Sequence, residues 1–280
     1  MDRHDGMSRR RSGGAATSSS RRRARRFRCA VTLGSLAISA LCLTLAAAAD
    51  ETGDALAAAT AMPTARPFDG VHAVGALFRD VAGKLRHFCT AAVVRSRRGD
   101  LLITAAHCLD GKVSPGGDVA SVRFAPGFHG RAFPYGTLAV TFEYVDSNWH
   151  RYHDPDDDVA FLVVGRNIEK STGAERVATG QKMPQQVQVI GYPDSTDTPV
   201  TCLAPARNFY IRPYAQLIFR CGGYTDGTSG GPFLDHVSGK TATGDVVGVI
   251  GGYQEGGDYA DISYSPRFLA NVAALYKIAN

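Results

Sequence analysis

Between Phe68 and Asn280, glycine and proline divide the sequence into short runs rich in β-branched and aromatic residues. Runs of this kind are typical of β-strands. The sequence predicts a first group of strands at 71–79, 85–95, 100–104, 119–124, 137–145 and 158–164. It predicts a second group at 186–192, 200–204, 216–221, 232–235, 246–250 and 259–263. Several runs are apolar throughout, as in strands curled around small barrel cores, so we expect an all-β fold.

Two segments interrupt or follow these strands. Residues 165–185, which contain Gly173 and Gly180, are predicted to connect the two groups. Near the C-terminus, Ser265 and Pro266 are suited to cap and start a helix, which is predicted over 266–278. Its apolar side chains recur at helical spacing on one face. They are Phe268, Leu269, Val272, Leu275 and Tyr276.

The first 49 residues have the composition of an export signal. Ten arginines lie within residues 1–28, the stretch 29–49 is uncharged, and Ala46 to Ala49 offer small residues to a signal peptidase. This pattern predicts a signal peptide over 1–49 and a secreted protein. An uncleaved membrane anchor is the alternative, because roughly 20 uncharged residues can span a bilayer. Residues 50–66, rich in alanine and threonine, are predicted to be a linker or short propeptide.

The charge is distributed unevenly along the chain. The total is +5, but residues 1–28 carry +8, so the remainder carries −3. The basic balance belongs to the leader, and the folded part has no nucleic-acid signature. We therefore expect no nucleic-acid partner, no membrane association after signal cleavage, and a monomer.

A glycine-rich segment at 227–232 (Gly-Thr-Ser-Gly-Gly-Pro) offers a candidate nucleophile, Ser229. A tight turn exposes the serine hydroxyl, and the glycines let a substrate approach the backbone closely. The N–H groups of Gly227 and Ser229 could form an oxyanion hole for a tetrahedral intermediate. Glycine-rich turns with serine are common in β proteins, so this motif alone does not establish a catalytic site.

Two further segments change that assessment. Residues 102–108 (Leu-Ile-Thr-Ala-Ala-His-Cys) place His107 and Cys108 at the end of one apolar run, and residues 158–162 (Asp-Val-Ala-Phe-Leu) place Asp158 at the start of another. In the order His, Asp, Ser, the three segments resemble the trypsin/chymotrypsin-like serine proteases over about 68–280. The resemblance implies a secreted serine endopeptidase that acts on a peptide or protein substrate.

The same resemblance implies the architecture. It predicts two six-stranded antiparallel β-barrels, at about 67–165 and 186–264, with a C-terminal helix docked on the second. Thr228 stands where animal digestive members have an aspartate that receives a new N-terminal ammonium. Since no Ile-Val-Gly-Gly start is visible either, the chain resembles the secreted bacterial branch.

The three motif residues together can perform acyl transfer. Ser229 needs a base to act as a nucleophile, and His107 can take its proton and later return it. Asp158 would hold the histidine tautomer and stabilise the imidazolium, although spacing alone leaves Asp157 as an alternative. The triad supplies base, nucleophile and electrostatics, so no cofactor is expected. Three other histidines lack the motif frame and are expected in solvated loops: His87, His150 and His153.

Four cysteines lie beyond the leader: Cys89, Cys108, Cys202 and Cys221. In an exported chain they suggest two disulfides, for which three pairings are possible. The local choice joins Cys89 to Cys108 and Cys202 to Cys221, and the first of these matches the bridge beside the histidine in the resembled family. No C-x-x-C spacing is present, so no zinc site is predicted. The acidic run at 154–158 could hold calcium, but it has no glycine at a loop-turning spacing, so a solvated loop and no metal site are predicted there.

The specificity pocket can be located only by family analogy. The position six before Ser229, at the base of the pocket, is Gly223, and Asp226 would lie on the rim. Gly251 and Gly252 would leave walls of bare backbone. A cationic side chain would meet no opposing charge at the base. This reasoning predicts a preference for apolar or small residues before the cut and poor turnover after lysine or arginine.

Two other functions fit the same sequence. A secreted esterase would use the same acyl chemistry. A catalytically silent barrel could instead bind a protein partner, although such relatives usually lose a triad residue and here all three positions are filled.

Overall fold

The computed structural model describes residues 61–110, 119–182 and 186–280. The predicted signal peptide and most of the predicted linker lie outside these residues. Among the helices that are described, none has the length and apolarity needed to cross a bilayer. The fold is mostly β, as the sequence predicts.

Fifteen strands are formed in the described residues, and they are numbered here in chain order. They are β1 Arg66–Pro67, β2 Val74–Val81, β3 Lys84–Val94, β4 Leu101–Thr104, β5 Val122–Pro126, β6 Leu138–Val145, β7 Ala160–Val164, β8 Arg176–Val177, β9 Val187–Gly191, β10 Val200–Ala204, β11 Ala206–Ile211, β12 Tyr214–Arg220, β13 Pro232–Asp235, β14 Asp245–Val249 and β15 Ile262–Pro266. The helices are α1 Ser147–Tyr152, α2 Glu169–Thr172 and α3 Ala270–Ala279.

The first group of strands closes into a six-stranded antiparallel barrel in the order β2-β3-β4-β7-β6-β5. Its strands are the six predicted from the sequence, with shifted ends. Strands β4 and β7 are buried along their whole length, because they face the core on one side and neighbouring structure on the other. Large fully buried side chains such as Phe124, Leu102 and Leu162 lie on one face of the paired strands and fill the interior. Closure leaves no unpaired edge, and this confirms the predicted fold class for this half.

The second half surrounds another core with two sheets. One has the order β1-β10-β9-β13-β14-β8 and the other β11-β12-β15. Phe219, Phe233 and Tyr224 lie in the core between them. All six predicted strands are present, but their hydrogen bonds form two sheets and not one closed ladder. Strand β11 was not predicted, because its residues are mostly exposed and carry no long apolar run.

The C-terminal helix begins at Ala270, four residues later than predicted. Ser265 and Pro266 belong to β15, where the Ser265 hydroxyl accepts from the Val249 N–H at 3.0 Å and donates to the Pro266 carbonyl at 2.8 Å. Because that hydroxyl is bonded across the sheet, it cannot cap the helix. Leu269, predicted on the apolar face, is 40% exposed.

The helix also packs on a different surface from the one that the family resemblance implied. The ring of Tyr276 lies 5.4 Å from that of Phe161 in the first barrel, and its hydroxyl donates to the Arg95 carbonyl. Val272 and Leu275 are buried in the same core as the first barrel. The prediction that α3 docks on the second barrel is therefore wrong.

Residues before β1 are bonded into the second half. The Gly222 N–H donates to the Pro63 carbonyl at 2.8 Å, and the Ala65 N–H donates to the Gly222 carbonyl at 2.7 Å. Arg66 and Pro67 then pair with β10. The last residues of the predicted linker, from Pro63 onward, are thus part of the folded domain.

One buried acid lies in the connection between the two halves. Glu175 is fully buried and accepts from the Gly244 N–H at 2.5 Å through Oε2, whereas its Oε1 has no partner among the described residues. Its own backbone bonds to β3 through the Val93 carbonyl. Burial, only partly offset by the Gly244 N–H, raises the pKa of Glu175 to about 7. The carboxyl is therefore protonated in weakly acidic solution.

We predict that Glu175 makes folding pH-dependent. The folded pKa lies above the unfolded one, so the contribution of this group to stability is complete below about pH 4.5 and falls as the pH rises towards 7. At 1.4 kcal/mol per unit, the loss by pH 8 is on the order of 3 kcal/mol. Urea unfolding of Glu175→Gln should therefore depend less on pH between 5 and 8 than unfolding of the wild type. Glu169→Gln, in the same connection, is the control and should retain the wild-type slope.

Candidate active site

A cavity of about 710 Å³ contains both His107 and Ser229 in its lining. Segments from both halves of the molecule form its walls. The first barrel contributes Phe88, Cys89 and His107. The second half contributes two loops and the glycine-rich turn, including Asp194, Asp226, Gly227, Ser229 and Glu255.

Strand pairing brings His107 and Asp158 together. Strands β4 and β7 are antiparallel neighbours, with Thr104 opposite Ala160. His107 lies in a short 3-10 helix just after β4, and Asp158 lies just before β7. The end of one strand and the start of the other meet at the same edge of the barrel, so two residues 51 positions apart become neighbours.

The His107–Asp158 contact is short and buried. The His107 Nδ1 lies 2.8 Å from Asp158 Oδ2, and the backbone N–H of His107 donates to Asp158 Oδ1 at 2.8 Å. Asp158 is fully buried, whereas the His107 side chain keeps 8% exposure. The carboxylate at Nδ1 fixes the orientation of the imidazole ring.

Gly251 and Gly252 support this carboxylate. The Gly252 N–H donates to Asp158 Oδ2 at 2.7 Å. A Cβ atom at Gly251 would lie 2.9 Å from Asp158 Oδ2, closer than side chains tolerate. Neither glycine lines the cavity. The predicted role of these two residues as pocket walls is therefore wrong, because their backbone packs on the buried acid.

Asp157, the alternative to Asp158, points elsewhere. Its Oδ1 accepts from the Asn271 side chain at 2.7 Å and its Oδ2 accepts from Asn148 at 3.2 Å. Burial raises the pKa of Asp157, and the two amide donors oppose that shift. Asp157 thus links helices α1 and α3, and the carboxylate in contact with His107 belongs to Asp158.

The three histidines expected in solvated loops, His87, His150 and His153, do not contact Asp158 in the described residues. His87 is buried against Phe78 at 5.5 Å between ring centroids, and burial lowers its pKa. His150 lines a separate cavity beside Glu143. His153 ends α1 and lies 3.6 Å from Asp110. The expectation that all three are solvated loop residues is thus wrong for His87, which is 9% exposed.

The glycine-rich turn is packed too tightly to accept side chains at two positions. Gly227 has φ +88°, and a Cβ there would lie 2.5 Å from the Asp194 nitrogen. Gly230 has φ +79°, and a Cβ there would lie 2.1 Å from Thr104 Oγ1. Ser229, between them, is half-buried and lines the cavity. These glycines are required by backbone conformation and by close approach alike.

The backbone N–H groups of this turn differ in whether a backbone carbonyl accepts their hydrogen bond. The N–H groups of Thr228, Gly230 and Gly231 all donate to backbone carbonyls. In the part of the chain that the structure describes, the N–H groups of Gly227 and Ser229 have no such acceptor. These are the two donors that the sequence assigns to an oxyanion hole.

Thr90 is a residue that sequence reasoning missed. It lies on β3, fully buried, and its N–H donates to the Ser229 carbonyl at 2.7 Å. Its hydroxyl donates to the Gly227 carbonyl at 3.0 Å and accepts from the Tyr192 N–H at 2.9 Å. Thr90 therefore fastens both ends of the Gly227–Ser229 turn to the first barrel. Its only sequence signal is its position next to Cys89.

Two disulfides join the cysteines in the local pairing. Cys89 is bonded to Cys108 and Cys202 to Cys221. The first bridge anchors the residue after His107 to β3. The second joins the middle of β10 to the residue that follows β12, in the segment that leads into the glycine-rich turn.

The predicted base of the specificity pocket is misplaced. Gly223 is exposed and faces Ala65: a Cβ atom added at Gly223 would lie 3.4 Å from the Ala65 Cβ. It does not line the cavity, whereas Asp226 does. The residues before β1 pack on Gly222 and Gly223 and turn this stretch away from the cavity, an arrangement that the motif spacing could not reveal.

Comparison with known proteins agrees with this description. A family model for a trypsin-like peptidase domain matches residues 89–249. The crystal structure of the protease Anisep from Arthrobacter nicotinovorans has a TM-score of 0.63 at 22% identity, covering 77% of this chain and 99% of that one. The thermostable serine protease AL20 from an extremophilic microorganism has a TM-score of 0.62 at 23% identity, covering 74% and 96%. A Glu endopeptidase has a TM-score of 0.58 at 15% identity, covering 78% and 96%.

Fold and family together define a serine-type endopeptidase as the class of enzyme. Within that class, the chain belongs to the trypsin-like peptidase domain family, whose model matches more than half of its length. No curated protein sequence matches the chain.

We predict that Thr90→Val weakens both folding and turnover. The change leaves the Gly227 carbonyl and the Tyr192 N–H unpaired in a buried site, at a cost of about 1–3 kcal/mol in unfolding free energy. Because the Gly227–Ser229 turn loses an anchor, kcat for a peptide substrate should fall by roughly tenfold, which is 1.4 kcal/mol. Thr90→Ser keeps the hydroxyl and should retain most of the wild-type kcat. Equal kcat values for the valine variant and the wild type would contradict this role.

Proposed function

We propose that this chain is an exported endopeptidase that hydrolyses peptide bonds through an acyl-enzyme, using His107, Asp158 and Ser229. The observation that carries the proposal is the buried Asp158 carboxylate at 2.8 Å from His107 Nδ1, at the edge of a cavity that also contains Ser229. This arrangement supports an imidazole oriented to take a proton from the serine hydroxyl.

The proposed reaction has two stages. In the first, Ser229 Oγ attacks the scissile carbonyl while His107 Nε2 accepts the hydroxyl proton, and the tetrahedral oxyanion accepts hydrogen bonds from the N–H groups of Gly227 and Ser229. His107 then gives its proton to the leaving amine. In the second stage, water repeats the sequence on the acyl-enzyme and releases the carboxylic acid. Asp158 stabilises the imidazolium in both stages.

Export is the second part of the proposal. The sequence of residues 1–49 supports it, and so do the two disulfides, which persist in oxidising compartments. The mature chain must retain Pro63, since its carbonyl accepts from the Gly222 N–H in the folded domain.

We predict that Ser229→Ala and His107→Ala each abolish nearly all peptidase activity. Because the two residues act as a unit, the double variant should be little worse than either single one. Asp158→Asn should lower kcat on the order of 10⁴-fold, since an amide favours the wrong tautomer of His107. These values are to be measured with a fluorogenic peptide library.

The matched control is Asp157→Asn, which changes the neighbouring carboxyl but leaves the His107 contact in place. It should affect activity far less than Asp158→Asn. A phosphonylating probe that labels the wild type and not Ser229→Ala would separate the enzyme from a silent binding barrel. Absence of labelling in the folded wild type would refute the proposal.

We predict that the secreted protein begins between Asp50 and Pro63. Cleavage of the signal sets the first limit, and the backbone bond of Pro63 sets the second. Mass measurement of the secreted chain checks both limits. Intact chains retained in the membrane fraction would favour an uncleaved anchor.

A further inference from the structure

Gln216 is a buried amide that has no part in the reaction proposed above. It lies on β12, is fully buried, and does not line the candidate catalytic cavity. Its Oε1 accepts from the Tyr253 N–H at 3.0 Å, and its Nε2 donates to Asp156 Oδ1. Each polar end of the amide is therefore bonded to a different segment of the chain.

The first of these segments supplies a hydrogen bond to Asp158. Tyr253 directly follows Gly252, whose N–H donates to Asp158 Oδ2 at 2.7 Å. A Cβ atom added at Gly252 would clash with Gln216 Oε1, so the amide oxygen packs directly on this backbone. Gln216 thus fixes the place of the residue that donates to the buried carboxylate.

The second segment carries Asp158 itself. Asp156 lies two residues earlier, in the short 3-10 helix 155–157. Its carboxylate also accepts from the Ala215 N–H, at 3.0 Å to Oδ1 and 3.1 Å to Oδ2. Burial raises the pKa of Asp156, and the bonds from Ala215 and Gln216 oppose that shift. Two consecutive residues of β12 therefore hold the chain just ahead of Asp158.

This bridge matters because the Asp158 carboxylate is bonded from both halves of the molecule. Its two bonds to His107 lie within the first barrel, whereas the bond from Gly252 comes from the second half. The length of that third bond depends on how the two segments are placed relative to each other. Among the residues that the structure describes, Gln216 is the side chain whose hydrogen bonds reach both of them.

We propose that Gln216 is a positioning residue for catalysis, with Asp156 as its partner. Its amide holds the Gly252 N–H against the Asp158 carboxylate and thereby sets the orientation of the His107 imidazole. The inference rests on the proposed function, because it concerns the same carboxylate. Neither Gln216 nor Asp156 lines the cavity, so both act through Asp158 and not on the substrate.

The test begins with two variants that break the bridge from opposite ends. Gln216→Met keeps the size of the side chain and removes both hydrogen bonds. Because the Gly252 N–H loses its support, kcat for a peptide substrate should fall on the order of tenfold, since small displacements of catalytic groups are costly. Asp156→Ala should give a similar loss. If the two residues act as a unit, the double variant should lose little more than either single one.

Two further variants separate positioning from lost stability. Asp156→Asn keeps an oxygen that can accept from Gln216 and Ala215, so it should retain most of the wild-type kcat. Thr201→Val removes a buried hydroxyl in the second half that donates to the Val189 carbonyl at 3.1 Å. It should lower Tm and leave kcat unchanged, because Thr201 bonds to neither segment.

Proton NMR gives a readout that does not depend on turnover. The proton between His107 Nδ1 and Asp158 Oδ2 should resonate far downfield, because the bond is short and its acceptor is charged. Its chemical shift should change in Gln216→Met and in Asp156→Ala, and should stay at the wild-type value in Thr201→Val. A buried amide with only a structural role would lower Tm in Gln216→Met without moving this resonance.

The outcomes separate this inference from the proposed function. Labelling by the phosphonylating probe, with wild-type kcat and chemical shift in Gln216→Met, would overturn the inference and leave the peptidase intact. If Gln216→Met does not fold, Asp156→Ala decides by the same two measurements. If the folded wild type is neither labelled nor able to cleave any peptide, the proposed function fails, and the NMR comparison still decides whether Gln216 positions Asp158.

Discussion

The hydrogen bonds to the buried Asp158 carboxylate are the interactions on which the packing of the two halves depends. A charge without solvent contact is costly unless donors surround it, and here backbone N–H groups of His107 and Gly252 and the His107 ring provide them. His107 belongs to the first barrel and Gly252 to the second half. The same contacts that stabilise the charge therefore orient the imidazole and hold the two halves together.

Thr90 makes a second set of hydrogen bonds between the two halves, and these join uncharged groups. Its backbone and hydroxyl reach from the first barrel to the Ser229 and Gly227 carbonyls. Gly252 of the second half thus bonds to Asp158 of the first barrel, and Thr90 of the first barrel bonds to the serine turn of the second half. Residues next to both contacts line the cavity, among them Cys89, His107 and Gly227. Cavities at such interfaces are common ligand sites.

The sequence predicts those parts of the structure that depend on short segments. The strand runs and the His107 and Ser229 segments are recognisable from a few consecutive residues, and the cysteine pairing was chosen among three by short separation and by the family resemblance. The parts that were predicted wrongly depend on partners distant in the chain. Ser265 looks like a helix cap until its hydroxyl is seen to bond with Val249 across the sheet.

The specificity pocket shows more clearly that partners distant in the chain cannot be predicted from short segments. Its wall combines three loops, so counting back from Ser229 could not show that Gly223 turns towards Ala65. Nor could the sequence show that Gly251 and Gly252 pack on Asp158. Thr90 carries no motif, and only its contacts with Gly227 and Tyr192 reveal it.

The short strand β1 has a consequence for handling this protein. Arg66 and Pro67 cover the outer edge of β10, at the end of the six-stranded sheet. An uncovered sheet edge is a template for pairing with another chain. A fragment that starts after Pro67 would present β10 to its neighbours, with Leu203 already 68% exposed there. Arg66 and Pro67 thus cover part of a sheet edge at which two copies of the domain could otherwise pair.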